Sequence, residues 1–263
     1  MLFFIIGLVF GSFFNSLVYR LENNKKIFFS RSQCPFCSHQ LNFFDLIPLF
    51  SFIFLKGKCR YCQNKISFLY PLGEFLTGIL FFSFYLRFKD ILNFNLNSIL
   101  FFVFWLGFLS ILFLLAYYDL KTQYISMPIL FFAFFWAGLF LILSSKIYQI
   151  DFLETLNSVF SFNFSGRILF NLILILILIS FAFFGFLGWG DVIIVFWLGI
   201  FLKPPELFLS LILAGLFGSL FSLPLLILKK YNLKTQIPFL PFIFLGVWFT
   251  IILGENLMKI FGL

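Results

Sequence analysis

Four cysteines, all within residues 34–62, give the strongest chemical signal in the sequence. They form two pairs, Cys34-Pro-Phe-Cys37 and Cys59-Arg-Tyr-Cys62, with 21 residues between them. Paired C-x2-C knuckles of this kind can place four thiolates tetrahedrally around zinc. The gap is one residue beyond the usual spacing of about 15–20. Four thiolates leave no open coordination position, so the expected role is structural: the metal folds a loop too short to bury its own core. Two disulfides are the competing chemistry, and a reducing compartment disfavours them. His39, the only histidine, is read as a solvated loop side chain, with replacement of one cysteine ligand as the alternative. Its solitude removes Ser-His-Asp and Cys-His catalysis.

Two acids come next. Asp119 closes an apolar run in Ala116-Tyr117-Tyr118-Asp119-Leu120, and Asp191 opens another in Gly188-Trp189-Gly190-Asp191. Ionisable groups at the ends of membrane segments are costly and often functional, although each acid alone also fits a plain helix end reaching for water. The glycines flanking Trp189 allow close backbone approach and leave room beside the carboxylate. Two carboxylates within hydrogen-bond distance cannot both ionise and share one proton. One then acts as base on a water while its protonated partner donates to a carbonyl oxygen. With 71 residues between them, contact between the two acids is an expectation only.

These residues must be positioned by elements of an unusual kind. Apolar residues make up 62% of the 263 and charged residues 11%, against about 45–50% and 25% in soluble domains. Mean hydropathy is +1.10. Soluble enzymes and disordered chains are excluded, leaving an integral membrane protein. The net charge of +8 forms no basic face, so nucleic acid is not expected as a partner, and the cations are read as setting orientation. The 49 phenylalanines are read as substitutes for leucine on lipid faces, not as an aromatic box.

A crossing helix needs about 20 mostly apolar residues. Candidates lie at 2–19, 68–88, 98–118, 126–145, 167–186, 191–203, 206–228 and 239–259. The expected fold is therefore an all-α, polytopic membrane helix bundle of about eight spans. The sixth, opened by Asp191 and stopped by Pro204-Pro205, is expected to be short and deeply buried. The first has no basic residue ahead of it and reads as a retained anchor, not a signal peptide. Residues 20–67 hold eight basic residues, which assigns this loop to the cytoplasm; Lys121, Lys229, Lys230 and Lys234 fall on the same side. Both aspartates then sit at the cytoplasmic edge. The smaller 146–166 loop, with Asp151 and Glu154, is expected on the outer side.

Further segments carry a family resemblance. Gly11-Ser12-Phe13-Phe14-Asn15 and Val18-Tyr19-Arg20-Leu21 open the series. Cys34-Pro35-x-Cys37-x-His39-x-Leu41, Ile47-Pro48-Leu49-x-Ser51 and Gly57-Lys58-Cys59-Arg60-x-Cys62 follow. Ile66-Ser67-x-x-Tyr70-Pro71-x-x-Glu74, Asp119-Leu120, Gly188-x-Gly190-Asp191-Val192 and Ile237-Pro238-Phe239-x-Pro241-Phe242 complete it. In this order they resemble the type IV prepilin peptidases, membrane aspartyl proteases of the GxGD group, from end to end.

The resemblance implies a bifunctional enzyme of the bacterial inner membrane, serving type IV pili or protein secretion. It implies cleavage of the leader from prepilins or pseudopilins through Asp119 and Asp191. N-methylation of the new N-terminus with S-adenosylmethionine would follow, with Glu74 and the cysteine loop connected to that step. The implied organisation is a first span (1–19), a cytoplasmic four-cysteine zinc loop associated with methylation (20–67) and a protease bundle (68–263). Membrane lipid is the other expected partner. Departures from the family pattern are Ser126-Met127 in place of Pro-Asp, Ile193 in place of lysine and Leu240 in place of glycine. A non-enzymatic assembly factor would not need both acids. A proton-coupled transporter would need repeat symmetry and midplane acids, and neither is visible.

Overall fold

In lipid every backbone N–H and C=O must be satisfied within its own segment, so long apolar runs are held to helix. The computed structural model describes residues 1–27, 31–92, 95–147, 164–185, 187–228 and 237–261. Asp151, Glu154, Lys229, Lys230 and Lys234 lie outside the described residues. The described residues are helical, with no strand; two isolated antiparallel bridges, Gln33 to Gln40 and Lys58 to Lys65, are the only extended pairings.

The helices are α1 (Leu2–Glu22), the short α2 (Phe50–Phe54), α3 (Leu69–Phe88), α4 (Leu96–Thr122), α5 (Met127–Ile147), α6 (Phe164–Phe183), α7 (Trp189–Phe201), α8 (Pro204–Ile227) and α9 (Leu240–Phe261). Every expected span coincides with one of them. Of these, α1, α3, α4 and α8 are each long and apolar enough to cross a bilayer. Prolines mark the starts: Pro71, Pro128, Pro204 and Pro241 all lie in a first turn, where the missing N–H costs no helix bond. Inside the helices the hydroxyls of Thr77, Ser210 and Thr250 donate to carbonyls three or four residues back, which satisfies them where no water is at hand.

The chain forms two compact units, Met1–Ile91 and Leu92–Leu263. In the first, α1 packs along α3. Gly7 and Gly11 of α1 make this possible, because a Cβ on Gly7 would lie 2.8 Å from Gly78 Cα, and one on Gly11 only 2.6 Å from Glu74 Cα. This is the small-x-x-x-small contact of membrane helices, in which backbones come close and side chains are absent.

In the second unit α4 is the most enclosed helix, with α5 and α9 packed on it, α7 on α5, α6 on α7, and α8 on α9. Its centre is aromatic. Phe108 stacks 4.4 Å from Phe201 and 4.9 Å from Trp197, and Phe140 lies 4.9 Å from Phe201. The Trp197 indole donates to the Ala133 carbonyl at 2.8 Å, and Trp136 donates to the Phe104 carbonyl at 3.1 Å. Phenylalanine therefore has two uses. Phe131 and Phe183 stay bare as lipid-facing residues would, whereas Phe84, Phe108 and Phe201 are core, and the lipid-face reading accounts for only the first group.

Helix α7 has 13 residues, about 20 Å at 1.5 Å per residue, which is shorter than the hydrocarbon core of about 30 Å. Its Ile194, Trp197 and Leu198 are fully buried. Pro204 and Pro205 begin α8 directly afterwards, with Glu206 reaching back to accept from the Lys203 N–H at 3.1 Å.

Candidate metal centre and paired carboxylates

The loop between α1 and α3 contains two knuckles of the same build. In the first, the Cys34 N–H donates to the His39 carbonyl and the Ser38 N–H to the Cys34 carbonyl, both at 3.0 Å. In the second, the Cys59 N–H donates to the Asn64 carbonyl at 2.9 Å and the Gln63 N–H to the Cys59 carbonyl at 3.0 Å. Ser38 and Gln63 take positive φ, 57° and 58°, turning each chain back on itself. Each turn delivers two thiols to one point.

The four sulfurs lie within 4.8 Å of one another, and Cys34 and Cys62 Sγ are 3.8 Å apart. Four Zn–S bonds of about 2.3 Å in a tetrahedron require sulfurs about 3.8 Å apart. All four cysteines are free thiols, so the residues present fit a metal ion and the disulfide alternative is not adopted. Burial raises the Cys34 thiol, but hydrogen bonds from the backbones of Cys37 and Phe36 outweigh it and bring it down to about 7. The Asn64 N–H acts to lower Cys62, yet desolvation and the crowding thiols of Cys59, Cys37 and Cys34 push it up to about 11.

His39 is not among the converging ligands. Its ring lies on Tyr61 of the other knuckle, centroids 3.7 Å apart. The Tyr61 hydroxyl donates to Asp45 Oδ2 at 3.2 Å and accepts from Asn42 Nδ2 at 3.0 Å, and Arg60 pairs with Asp45 Oδ1 at 3.0 Å. This network ties the 3-10 turn Phe43–Leu46 to the second knuckle.

Glu74 lies one turn into α3 and is nine-tenths buried. Its Oε2 accepts from the Leu49 N–H at 2.8 Å, and the Ser12 hydroxyl also bonds the carboxylate. Across the same helix pair, Asn15 is 3% exposed and donates through Nδ2 to the Tyr70 carbonyl at 2.9 Å, while its Oδ1 has no partner among the described residues. A buried carboxylate with no cation in an ion pair among the described residues is an acceptor that suits a positively charged group, and the orphaned Asn15 amide oxygen on the same helix pair is a second acceptor. The sequence had marked Glu74 and Asn15 by resemblance, but not Leu49 or Ser12 as its partners.

In the second unit, Asp119 lies in the last turn of α4. That helix ends at Gln123 in the left-handed conformation, with its N–H on the Asp119 carbonyl at 2.8 Å, a common way of closing a helix. Asp191 is the third residue of α7 and reaches back to accept from the N–H of Gly188 at the helix start, as the acid of a capping box does. The two carboxylates are near enough for their charges to interact. Gly190 lies against Ile125, just beyond α4, where a side chain would collide. A third element arrives with α9, whose first residue Leu240 donates its N–H to Asp119 Oδ2 at 3.3 Å. Nothing in the spacing pointed to that bond. The only hint was Pro241, which fixes a helix start at that place. Of the departures noted above, Ser126 is buried with its carbonyl accepting from the Leu130 N–H, Met127 is exposed, and Leu240 is fully enclosed.

The fold is that of a multi-pass membrane protein with four converging thiols in one unit and two neighbouring carboxylates in the other. Two family models match it: the bacterial peptidase A24 N-terminal domain over residues 5–88 and the type IV leader peptidase family over residues 106–223. The chain belongs to the type IV prepilin peptidase family, a family of membrane proteases. Relatives named prepilin leader peptidase/N-methyltransferase include the following three. The one from Bacillus subtilis is 45% identical over 85 residues, 32% of this chain and 34% of its own length. The one from Klebsiella pneumoniae is 34% identical over 152 residues, covering 54% and 61%. The one from Aeromonas salmonicida is 25% identical across 97% of this chain and 91% of its own length. The chain thus spans about a third of the Bacillus relative, whereas it aligns with the Aeromonas relative nearly throughout. No solved structure matches it significantly.

Proposed function

We propose that this chain removes the leader peptide from type IV prepilins or pseudopilins and then methylates the new N-terminus. What supports the reading is the placement of Asp119 at the end of α4 and Asp191 at the start of α7, within range of each other's charge, in a chain of this protease family. Brought together around a bound water, the pair would share one proton. The ionised carboxylate takes a proton from water as it attacks the scissile carbonyl carbon, and the protonated one donates to the carbonyl oxygen. Leu240 N–H holds the Asp119 carboxylate in place, and Gly188 holds that of Asp191. The basic loop after α1 argues for a cytoplasmic site, the side on which a prepilin leader waits.

Zinc would be held by Cys34, Cys37, Cys59 and Cys62, with no position left for substrate, and serves to fold the loop. S-adenosylmethionine would supply an electrophilic methyl group. For this step Glu74 and Asn15, both buried in the α1–α3 pair, offer acceptors for a positive charge.

The test is the intact mass of a co-expressed pilin subunit with wild-type enzyme and with Asp191→Ala. A product lacking the leader and one methyl heavier, absent with the variant, is expected. Cleavage at wild-type rate by Asp191→Ala would overturn the dyad, and a trimmed but unmethylated wild-type product would overturn the methylation step.

A further inference from the structure

Residues 43–54 do not look like a water-facing loop. Phe43, Phe44, Phe50, Ile53 and Phe54 are 59–78% exposed, and Phe68 at the head of α3 is as bare. The 3-10 turn Phe43–Leu46 and helix α2 touch each other, so these bare side chains stand on neighbouring elements. Phe52 is the ring that turns inward, lying edge-on to Phe68 at 6.4 Å and over Gly57. Water-facing surfaces rarely carry so many bare apolar side chains on neighbouring elements without something to cover them.

Depth and charge together identify the cover. Leu49, between the two short elements, is tied by its N–H to Glu74. Glu74 is five residues into α3, about 7 Å along a helix that crosses the bilayer. The segment is therefore pinned beside the second turn of a membrane span and does not hang beyond its end. Interfacial segments bury their apolar faces to about 5–10 Å, which is the same depth. Its backbone is locally paired, through Ser51 N–H to Ile47 O, Ile53 N–H to Leu49 O and Leu55 N–H to Ser51 O at 3.0–3.1 Å, as a water-poor setting demands. In the chain that follows directly, Lys56, Lys58 and Lys65 are exposed. Asp45, the only acid in residues 23–67, is consumed by Arg60.

We propose that residues 43–54 are an interfacial hairpin. It lays Phe43, Phe44, Phe50, Ile53 and Phe54 into the headgroup–acyl boundary of the bilayer that α1 and α3 cross, with the lysines that follow on anionic headgroups. The partner is the lipid surface itself. The cysteine knuckles are thereby held against the membrane.

The test uses the full chain in vesicles of phosphatidylethanolamine and phosphatidylglycerol, with p-benzoylphenylalanine replacing Phe54 and, separately, Phe43. Asn64 on the second knuckle is the water-facing control. Irradiation followed by mass spectrometry should give phospholipid adducts at positions 54 and 43, several-fold above those at 64. Adducts to a second copy of the chain, adducts to peptides of residues 92–263, or equal lipid labelling at all three positions would each overturn the proposal. Two independent sites, each conservative for an exposed phenylalanine, guard against loss of folding in one variant.

Discussion

Gly188 shows how little room the carboxylate pair has. Its φ of −73° and ψ of 141° are open to any residue, so strain is not the reason for glycine here. A Cβ would stand 3.2 Å from Asp191 Oδ2, tighter than an oxygen accepts without moving. Gly188→Ala should insert and fold normally but cut a pilin about ten- to a hundredfold more slowly, because small displacements of reacting groups are that costly; a single-turnover cleavage assay reads it. The thiols make a second residue-scale prediction. Cys62, at about 11, carries a proton at neutral pH and must give it up to bind metal. Zinc affinity should therefore fall as pH is lowered from 8 to 6, with protons released on binding, which titration calorimetry in two buffers of different ionisation enthalpy measures. Both acids and all four cysteines were visible in the sequence as unusual residues in unusual places. The Leu240 N–H and the Leu49 N–H were not visible, because a backbone donor has no letter of its own and its partner lies 121 or 25 residues away.

At the scale of elements, α1 and α3 depend on glycine for their approach. Gly11→Leu would drive a side chain into Thr77 and the Glu74 backbone. It should cost about 1–3 kcal/mol, as overpacking generally does, seen as a lower Tm in detergent and faster proteolysis of residues 1–91. The helices themselves were legible because lipid leaves an apolar chain few alternatives, and proline fixed where several begin. The short α2 and the 3-10 turn before it were not, since five- and four-residue elements carry no periodicity. Phenylalanine also hid information. The same letter serves the lipid-facing surface at Phe131 and the centre of the second unit at Phe108, and a helix apolar all round gives no sign of which face turns inward.

At the scale of the whole molecule, the chain keeps its four candidate metal ligands and its candidate peptidase pair in separate compact units. The thiols and Glu74 belong to residues 1–91, and both aspartates belong to residues 92–263. Stripping the metal with a chelator should therefore expose the four thiols to alkylation and abolish methylation, while cleavage declines less. Intact-mass analysis of the pilin product before and after chelation separates the two, and equal loss of both would argue that the units work as one.

The bond from Leu240 to Asp119 also has a history. A ribosome adding about 5–20 residues per second needs on the order of ten seconds to make the 121 residues that lie between them. Throughout that interval the length of peptide already threaded into the bilayer contains Asp119, and later Asp191, without the donor that steadies the first. On the proposed reading, a chain whose α9 has not yet packed carries both acids without that donor, so the ability to cut first arises when α9 takes its seat.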